Sequence, residues 1–170
     1  MVLTRLRWSI TEGDRHPLQT MYDENLKKLS ATIATIDDGV VVNKSHIQNA
    51  GNGLFATRVY HRGDIITAFS GCLMEREEAI HLDDVTYVRS LIHGRLVVDG
   101  IRHQVTGLGG ASFANDDRGA RNNSAFQALE TAGLPTLVLV ALRAIDVNDE
   151  ILTSYGTFYW KRSALRTDSG

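Results

Sequence analysis

Cysteine is nearly absent from this 170-residue sequence, with Cys72 the only one. No disulfide can form within the chain, and a thiolate-rich zinc site of the Cys₄ kind is excluded. A lone cysteine also mildly favours a reducing compartment. Long hydrophobic runs are missing too. No apolar stretch approaches the ~18–20 residues of a membrane helix, and the opening MVLTRLRWSITEGDRH lacks the apolar block of a secretory signal. Nor does one sign of charge dominate. Eighteen Lys and Arg against 20 Asp and Glu leave a formal charge of −2, so no whole-molecule attraction to nucleic acid or anionic membrane is expected. The expectation is a soluble intracellular protein that binds neither directly. What is present is ordinary globular material, 43% hydrophobic and 22% charged, in a length that suits one compact domain.

Leu18, Tyr22, Leu26, Leu29 and Ile33 recur at steps of four, four, three and four, which predicts an amphipathic helix over 17–34 with Pro17 at its first position. Such a helix either packs on the domain that follows or offers a face to a partner or second copy. After the turn signal Asp37-Asp38-Gly39 the texture changes to short strand-like pieces at 40–42, 54–59, 64–70 and 95–100. One or two helical turns are expected at 75–82. The apolar run at 136–145 reads as a buried strand, with 150–156 following it. Without regular strand–helix alternation, a mostly β arrangement of small sheets is preferred to a doubly wound one. The expected divisions are an N-terminal arm with the helix (1–37), a domain (38–160) and a short tail (161–170), with loose ends at 1–16 and 163–170.

Three segments could carry chemistry. Gly51-Asn52-Gly53-Leu54-Phe55-Ala56 has the G-x-G-x-x-A form, but eight residues separate Val42 from Gly51 and a strand-like piece follows, so the dinucleotide-binding context is missing. Its two glycines still allow close backbone approach to a ligand or another strand, and a plain turn is the alternative. The loop from Gly107 to Asn123 is rich in glycine, small residues and amides. Asn115, Asp116 and Asp117 lack the spacing and glycine of a calcium loop, and no metal site is expected. Asp149 to Gly156, with Phe158, Tyr159 and Trp160 behind it, could be simple core packing. His46, His61, His81, His93 and His103 show no shared spacing.

In order and spacing, these segments resemble the SET-domain family of protein methyltransferases over residues 38–160. AGNGLFATRVYHRGDIITAFSG is similar to the family's opening, RLVVDG and GLGGASFAND to its Asp-ending strand and Asn loop, and DEILTSYG to its E-L-T-x-D-Y signature. The resemblance implies a mainly β (α+β) fold of several small curved sheets with a pseudoknot-like crossing of two loops, plus the N-terminal helix. The implied activity is methyl transfer from S-adenosyl-L-methionine to a lysine of a protein or peptide, a histone tail among the candidates. The protein would then be nuclear if a eukaryotic host's histone is the substrate, and cytoplasmic otherwise.

The resemblance also assigns residues. Tyr155 is the catalytic tyrosine, with Tyr87 as a second channel aromatic. Gly51, Asn52, Gly53, Leu54, Asn115, Asp116, Tyr155 and Trp160 are expected at the cofactor, and Phe126, Thr153 and Tyr87 along the substrate channel. Asn123 braces the crossing, and Glu150 supports a turn rather than catalysing. The sequence departs from the pattern where Ser112 stands for Arg, Asp116 and Asp117 for His and Ser, and Asn122 for Pro. With Cys72 the only cysteine, a minimal type without a cysteine-rich cap is expected, in which Phe158, Tyr159 and Trp160 would cover the cofactor and a homodimer could complete the peptide groove. Alternatives are a SET-fold enzyme acting on histidine, another amine or a small peptide, and a non-catalytic binding module.

Overall fold

A computed structural model of the chain describes residues 16–92, 95–101, 109–130, 133–157 and 159–160. The first element, α1 (Gln19–Leu29), buries Tyr22 and Leu26 completely, while Leu18 and Leu29 pack half-buried on the same core. Polar side chains share its inner face. Gln19 donates to the Gly71 carbonyl (3.1 Å) and accepts the Leu73 N–H (2.6 Å), Tyr22 donates to the Phe69 carbonyl (2.7 Å), and Asn25 donates to the Leu134 carbonyl (3.0 Å). Each ties the helix to backbone elsewhere, so the buried polar groups are satisfied and the helix is fixed in rotation and position.

α1 is shorter than the 17–34 pattern predicts. Pro17 precedes the Leu18 cap instead of opening the helix. At the other end, the Ser30 and Thr32 hydroxyls donate to the Lys27 and Leu29 carbonyls, competing with further helical turns. Ile33 and Ala34 are then buried separately, with the Ala34 N–H bonded to the Ile66 carbonyl.

In chain order come β1 (Thr35–Ile36), β2 (Gly39–Lys44), β3 (Asn52–Ala56), β4 (Ile65–Ala68), β5 (Cys72–Glu75), α2 (Arg76–Ala79), β6 (Val88–Ile92), β7 (Leu96–Asp99), a short 3-10 turn (Ala111–Phe113), β8 (Ser124–Leu129), β9 (Thr136–Ala141) and β10 (Glu150–Ile151). Among the described residues the strands form sheets in the orders β1-β2-β3-β10, β4-β9-β8 and β5-β7-β6. β9 is apolar after Thr136 because it lies at the centre of its sheet and is buried on nearly every residue. One core, including Val40, Leu54, Ile66, Phe69, Val98, Val138, Leu139 and Ile151, joins all three sheets to α1.

Several expected strands are trimmed. β3 stops at Ala56, where the chain bends at Thr57 and Arg58 before Tyr60 pairs with Ile145. β9 stops at Ala141, where Leu142 bends outward into solvent. The 150–156 piece pairs as strand only at Glu150 and Ile151, with Phe55 and Leu54. Beyond that it threads past the loop before β8: Leu152 bridges Asn115 and Thr153 bridges Ser124, both in parallel. Asn123 clamps this crossing, its amide donating to the Glu150 carbonyl (2.9 Å) and its oxygen accepting the Leu152 N–H (2.9 Å). The result is the mainly β fold of small sheets with crossed loops that the sequence suggests. β1, β5 and β6 lie outside every expected strand. Among the described residues no helix is long and apolar enough to cross a membrane.

Candidate active site

The crossing brings together two stretches far apart in sequence, 114–123 and 150–160. The first is rebuilt around Asp116. Its Oδ1 accepts the Arg118 N–H (2.7 Å) and the Asn122 amide (3.0 Å), while the Asn122 oxygen accepts the Asp117 N–H (3.1 Å). Asp117 in turn holds the Arg121 guanidinium in a bidentate pair. Three of the four residues that depart from the family pattern, Asp116, Asp117 and Asn122, thus brace one another.

Asp116 also organises the end of the site. Its Oδ2 accepts the Tyr155 N–H (2.8 Å) and the Trp160 indole N–H (2.8 Å). The Tyr155 and Trp160 rings lie nearly parallel with centroids 6.0 Å apart, Tyr159 meets both edge-on, and the Arg118 guanidinium covers the Trp160 face at 3.5 Å. Burial raises the Asp116 carboxyl, but hydrogen bonds from Tyr155, Asn122, Trp160 and Arg118 outweigh it and hold the group below the usual carboxylate range. It is therefore a carboxylate near neutral pH, with its acceptor capacity fully used.

Tyr155 is half-buried. Its hydroxyl donates to the Ala114 carbonyl (3.0 Å) and lies 3.5 Å from the Asn115 side-chain oxygen. Burial pushes this hydroxyl up to about 12, although the Arg89 cation pulls the other way. Tyr155 is therefore a neutral phenol at physiological pH, able to donate and accept hydrogen bonds but not to act as a standing base. Tyr87 lies close enough to disfavour its ionisation further, and the Tyr87 carbonyl accepts the Gly100 N–H just past β7.

Facing these rings is a residue that sequence reasoning missed. The Arg89 guanidinium carbon stands 4.6 Å from the Tyr155 ring centre and 5.4 Å from that of Phe126. TYVRSLI has no period-two alternation of polar and apolar residues, so no strand signal pointed to it. Phe126 sits on β8 and meets the core residue Phe69 edge-on at 5.7 Å. Thr153 is fully buried, with its N–H bonded to the Asn115 carbonyl (2.8 Å) and its hydroxyl without a hydrogen-bond partner among the described residues.

The glycine turn lies on the other side of the crossing. The Asn115 amide donates to the Asn52 carbonyl (2.9 Å), linking the two loops. Gly51 has φ +74° and open space where a side chain would stand, so its backbone is accessible to a ligand. Gly53 differs. A Cβ there would collide with the Glu150 carboxylate, which accepts the Ser45 hydroxyl (2.6 Å) and the His46 N–H (2.8 Å). Glu150 is accordingly a buried structural acceptor, and Leu54 a fully buried core residue. Among the described residues no cluster of His, Cys, Asp or Glu could hold a metal ion. Gly107, Leu108, His93, His103 and Phe158 lie outside the described residues.

Comparison with known proteins finds a family model, described as the SET domain, that matches residues 51–156. A zebrafish (Danio rerio) protein named N-lysine methyltransferase KMT5A-A is 28% identical over 131 residues, covering 71% of this chain and 36% of its own length. Among solved structures, ctPRC2 in an autoinhibited conformation bound to S-adenosylmethionine superposes with a TM-score of 0.61 at 19% identity, over 79% of this chain and 17% of that one. A humanized mutant of the Chaetomium thermophilum Polycomb Repressive Complex 2, bound to the inhibitor GSK126, gives 0.60 at 19% identity, over 69% and 15%. The chain thus spans about a third of the curated relative's length and less than a fifth of those structures' chains.

Proposed function

The chain belongs to the SET-domain family, and from that premise we propose that it transfers a methyl group from S-adenosyl-L-methionine to the side-chain amine of a lysine in a protein, with histone tails the first candidates. The observation that carries this reading is Tyr155, a neutral phenol whose hydroxyl is pinned to the Ala114 carbonyl at the loop crossing.

The residues present fit the cofactor. Gly51 leaves exposed backbone beside Asn115, and the stacked Tyr155 and Trp160 rings supply a flat apolar cover. Backbone at 51–53, Asn115 and the main chain of Asp116 would hold it there. When bound, it supplies an electrophilic methyl group on a sulfonium. The protein's own task is then positioning. It must aim a neutral amine in line with the departing sulfur and exclude water. A free lysine titrates near ~10.4, so neutrality near pH 7.4 costs about 4 kcal/mol, from about three pK units at about 1.36 kcal/mol each. Desolvation between Tyr155, Phe126 and Tyr87 lowers that cost, as does nearby positive charge. The Tyr155 hydroxyl orients the amine, and its ring forms a wall of the channel. Because Asp116, Asp117 and Asn122 brace one another, the altered loop is a substitute scaffold rather than a degenerate one, which favours turnover over a non-catalytic binding module.

The test is direct: measure S-adenosylmethionine binding, then transfer of its labelled methyl group to core histones and to a cell extract. Cofactor binding with no protein labelled would leave the binding-module reading in its place.

A further inference from the structure

Arg89 is placed against the usual habit of its side chain. It lies on β6, the end strand of the β5-β7-β6 sheet, from which a long cationic side chain can reach water. Instead the guanidinium turns inward over Phe126 and Tyr155. Among the described residues no carboxylate stands within ion-pair distance of it. Among those residues its Nε is buried without a hydrogen-bond partner, and Nη1 donates only to the carbonyl of the adjacent Val88, at 3.2 Å. A buried donor left unmade is a cost that structural packing alone does not explain. Two aromatic faces offset it, because each attracts a cation held within about 6 Å, and the Asp116 carboxylate adds a longer-range attraction.

Those faces are the walls assigned above to the acceptor channel. We propose that Arg89 is a built-in pseudosubstrate: its guanidinium occupies the place of the target lysine's amine until an incoming side chain displaces it. The proposal rests on the lysine-transfer reading. The chemistry of occupant and substrate is shared, an aliphatic stem ending in a cation that stacks on Tyr155 and Phe126. The occupant is a poor acceptor because a guanidinium keeps its proton and its nitrogen lone pairs are delocalised into the cation. Displacement breaks no ion pair, and the edge position of β6 gives the side chain a path to solvent. Arg89 is thereby a specificity-determining residue. It admits only peptides that hold a lysine well enough to compete.

The geometry is tested first without turnover. In the cofactor-free chain the Arg89 Nε–H proton resonance should be shifted upfield by the two rings and return toward an ordinary arginine position in Tyr155→Leu. An ordinary position in the unsubstituted chain overturns the proposal. Arg89→Lys then converts the occupant into an acceptor. The new amine's nitrogen takes the methyl carbon, the sulfur–methyl bond breaks with its electron pair left on sulfur, and the proton goes to solvent. Mass spectrometry should find residue 89 methylated at a rate independent of enzyme concentration, in a variant whose cofactor affinity matches the wild type. Arg89→Ala should lower KM for core histones by about tenfold, as removal of a competing cation–π occupant predicts. If the wild type labels histones while Arg89→Lys stays unmodified and Arg89→Ala leaves KM unchanged or higher, the pseudosubstrate is overturned and lysine transfer stands. If all forms bind cofactor and none labels anything, lysine transfer itself fails, and the pseudosubstrate with it.

Discussion

Replacing Asp116 by Asn keeps the side chain's shape but turns one acceptor oxygen into an NH₂ donor. Oδ1 serves the Arg118 N–H and the Asn122 amide, and Oδ2 serves the Tyr155 N–H and the Trp160 indole. Whichever oxygen the amide keeps, two donors lose their acceptor and face another donor. Hydrogen bonds to a charged group are worth about 1.5–3 kcal/mol each. Asn122 and Trp160 are only half-buried and recover part of this from water, so a loss of about 2–4 kcal/mol is expected for the pair. Urea unfolding followed by circular dichroism measures it, provided the slope with denaturant is unchanged. In a Trp8→Phe background the emission belongs to Trp160 alone and should report a wetter indole.

Acid adds a signature that packing loss would lack. Burial of Asp116 is outweighed by its hydrogen bonds, so the folded carboxyl titrates below its ordinary 3.8. Its stabilisation is complete above that ordinary value and is lost as pH falls through the lower, folded one. Wild type and Asp116→Asn should therefore converge in stability at low pH. A cost below about 0.5 kcal/mol with unchanged Trp160 emission would refute the latch, the size being that of an ordinary surface change. So would a difference that persists undiminished in acid.

Other substitutions probe the remaining parts. Tyr155→Phe should lower kcat by roughly tenfold or more while leaving cofactor affinity nearly unchanged, since a transition-state contact is lost; steady-state kinetics with calorimetry separates the two. Asn115→Ala should reverse that pattern and mainly weaken cofactor binding. With excess cofactor the wild type should accumulate dimethyl or trimethyl product, because neither Phe126 nor Thr153 offers a phenol to the amine, and Phe126→Tyr should shift product toward monomethyl; strict monomethylation by wild type contradicts this. Gly53→Ala should destabilise by about 1–3 kcal/mol in thermal unfolding, as its Cβ overpacks against the buried Glu150 carboxylate.

What the sequence made legible follows local pattern. The run TLVLVA could be read as a buried strand because β9 is covered on both faces, and the helical spacing of Tyr22 and Leu26 survived because both enter the core. Interactions that join distant segments through single side chains left no periodic trace. Gln19 and Asn25 lie on the buried face of α1, and only the Gly71, Leu73 and Leu134 backbone groups opposite explain why polar residues are tolerated there. Likewise Asp116 and Asn122 read one at a time as departures from a family pattern, and only their mutual bond and the link to Trp160 make them one device. Arg89 escaped notice because β6 mixes polar and apolar residues and was not anticipated as a strand.

The central claim is most directly tested by mass spectrometry of acceptor proteins after incubation with wild type or Tyr155→Phe and a cofactor carrying a deuterated methyl group. The account predicts deuterated methyl groups on lysine side chains with wild type and their near-complete loss with Tyr155→Phe. Label on histidine instead, or equal lysine labelling by both forms, would contradict it.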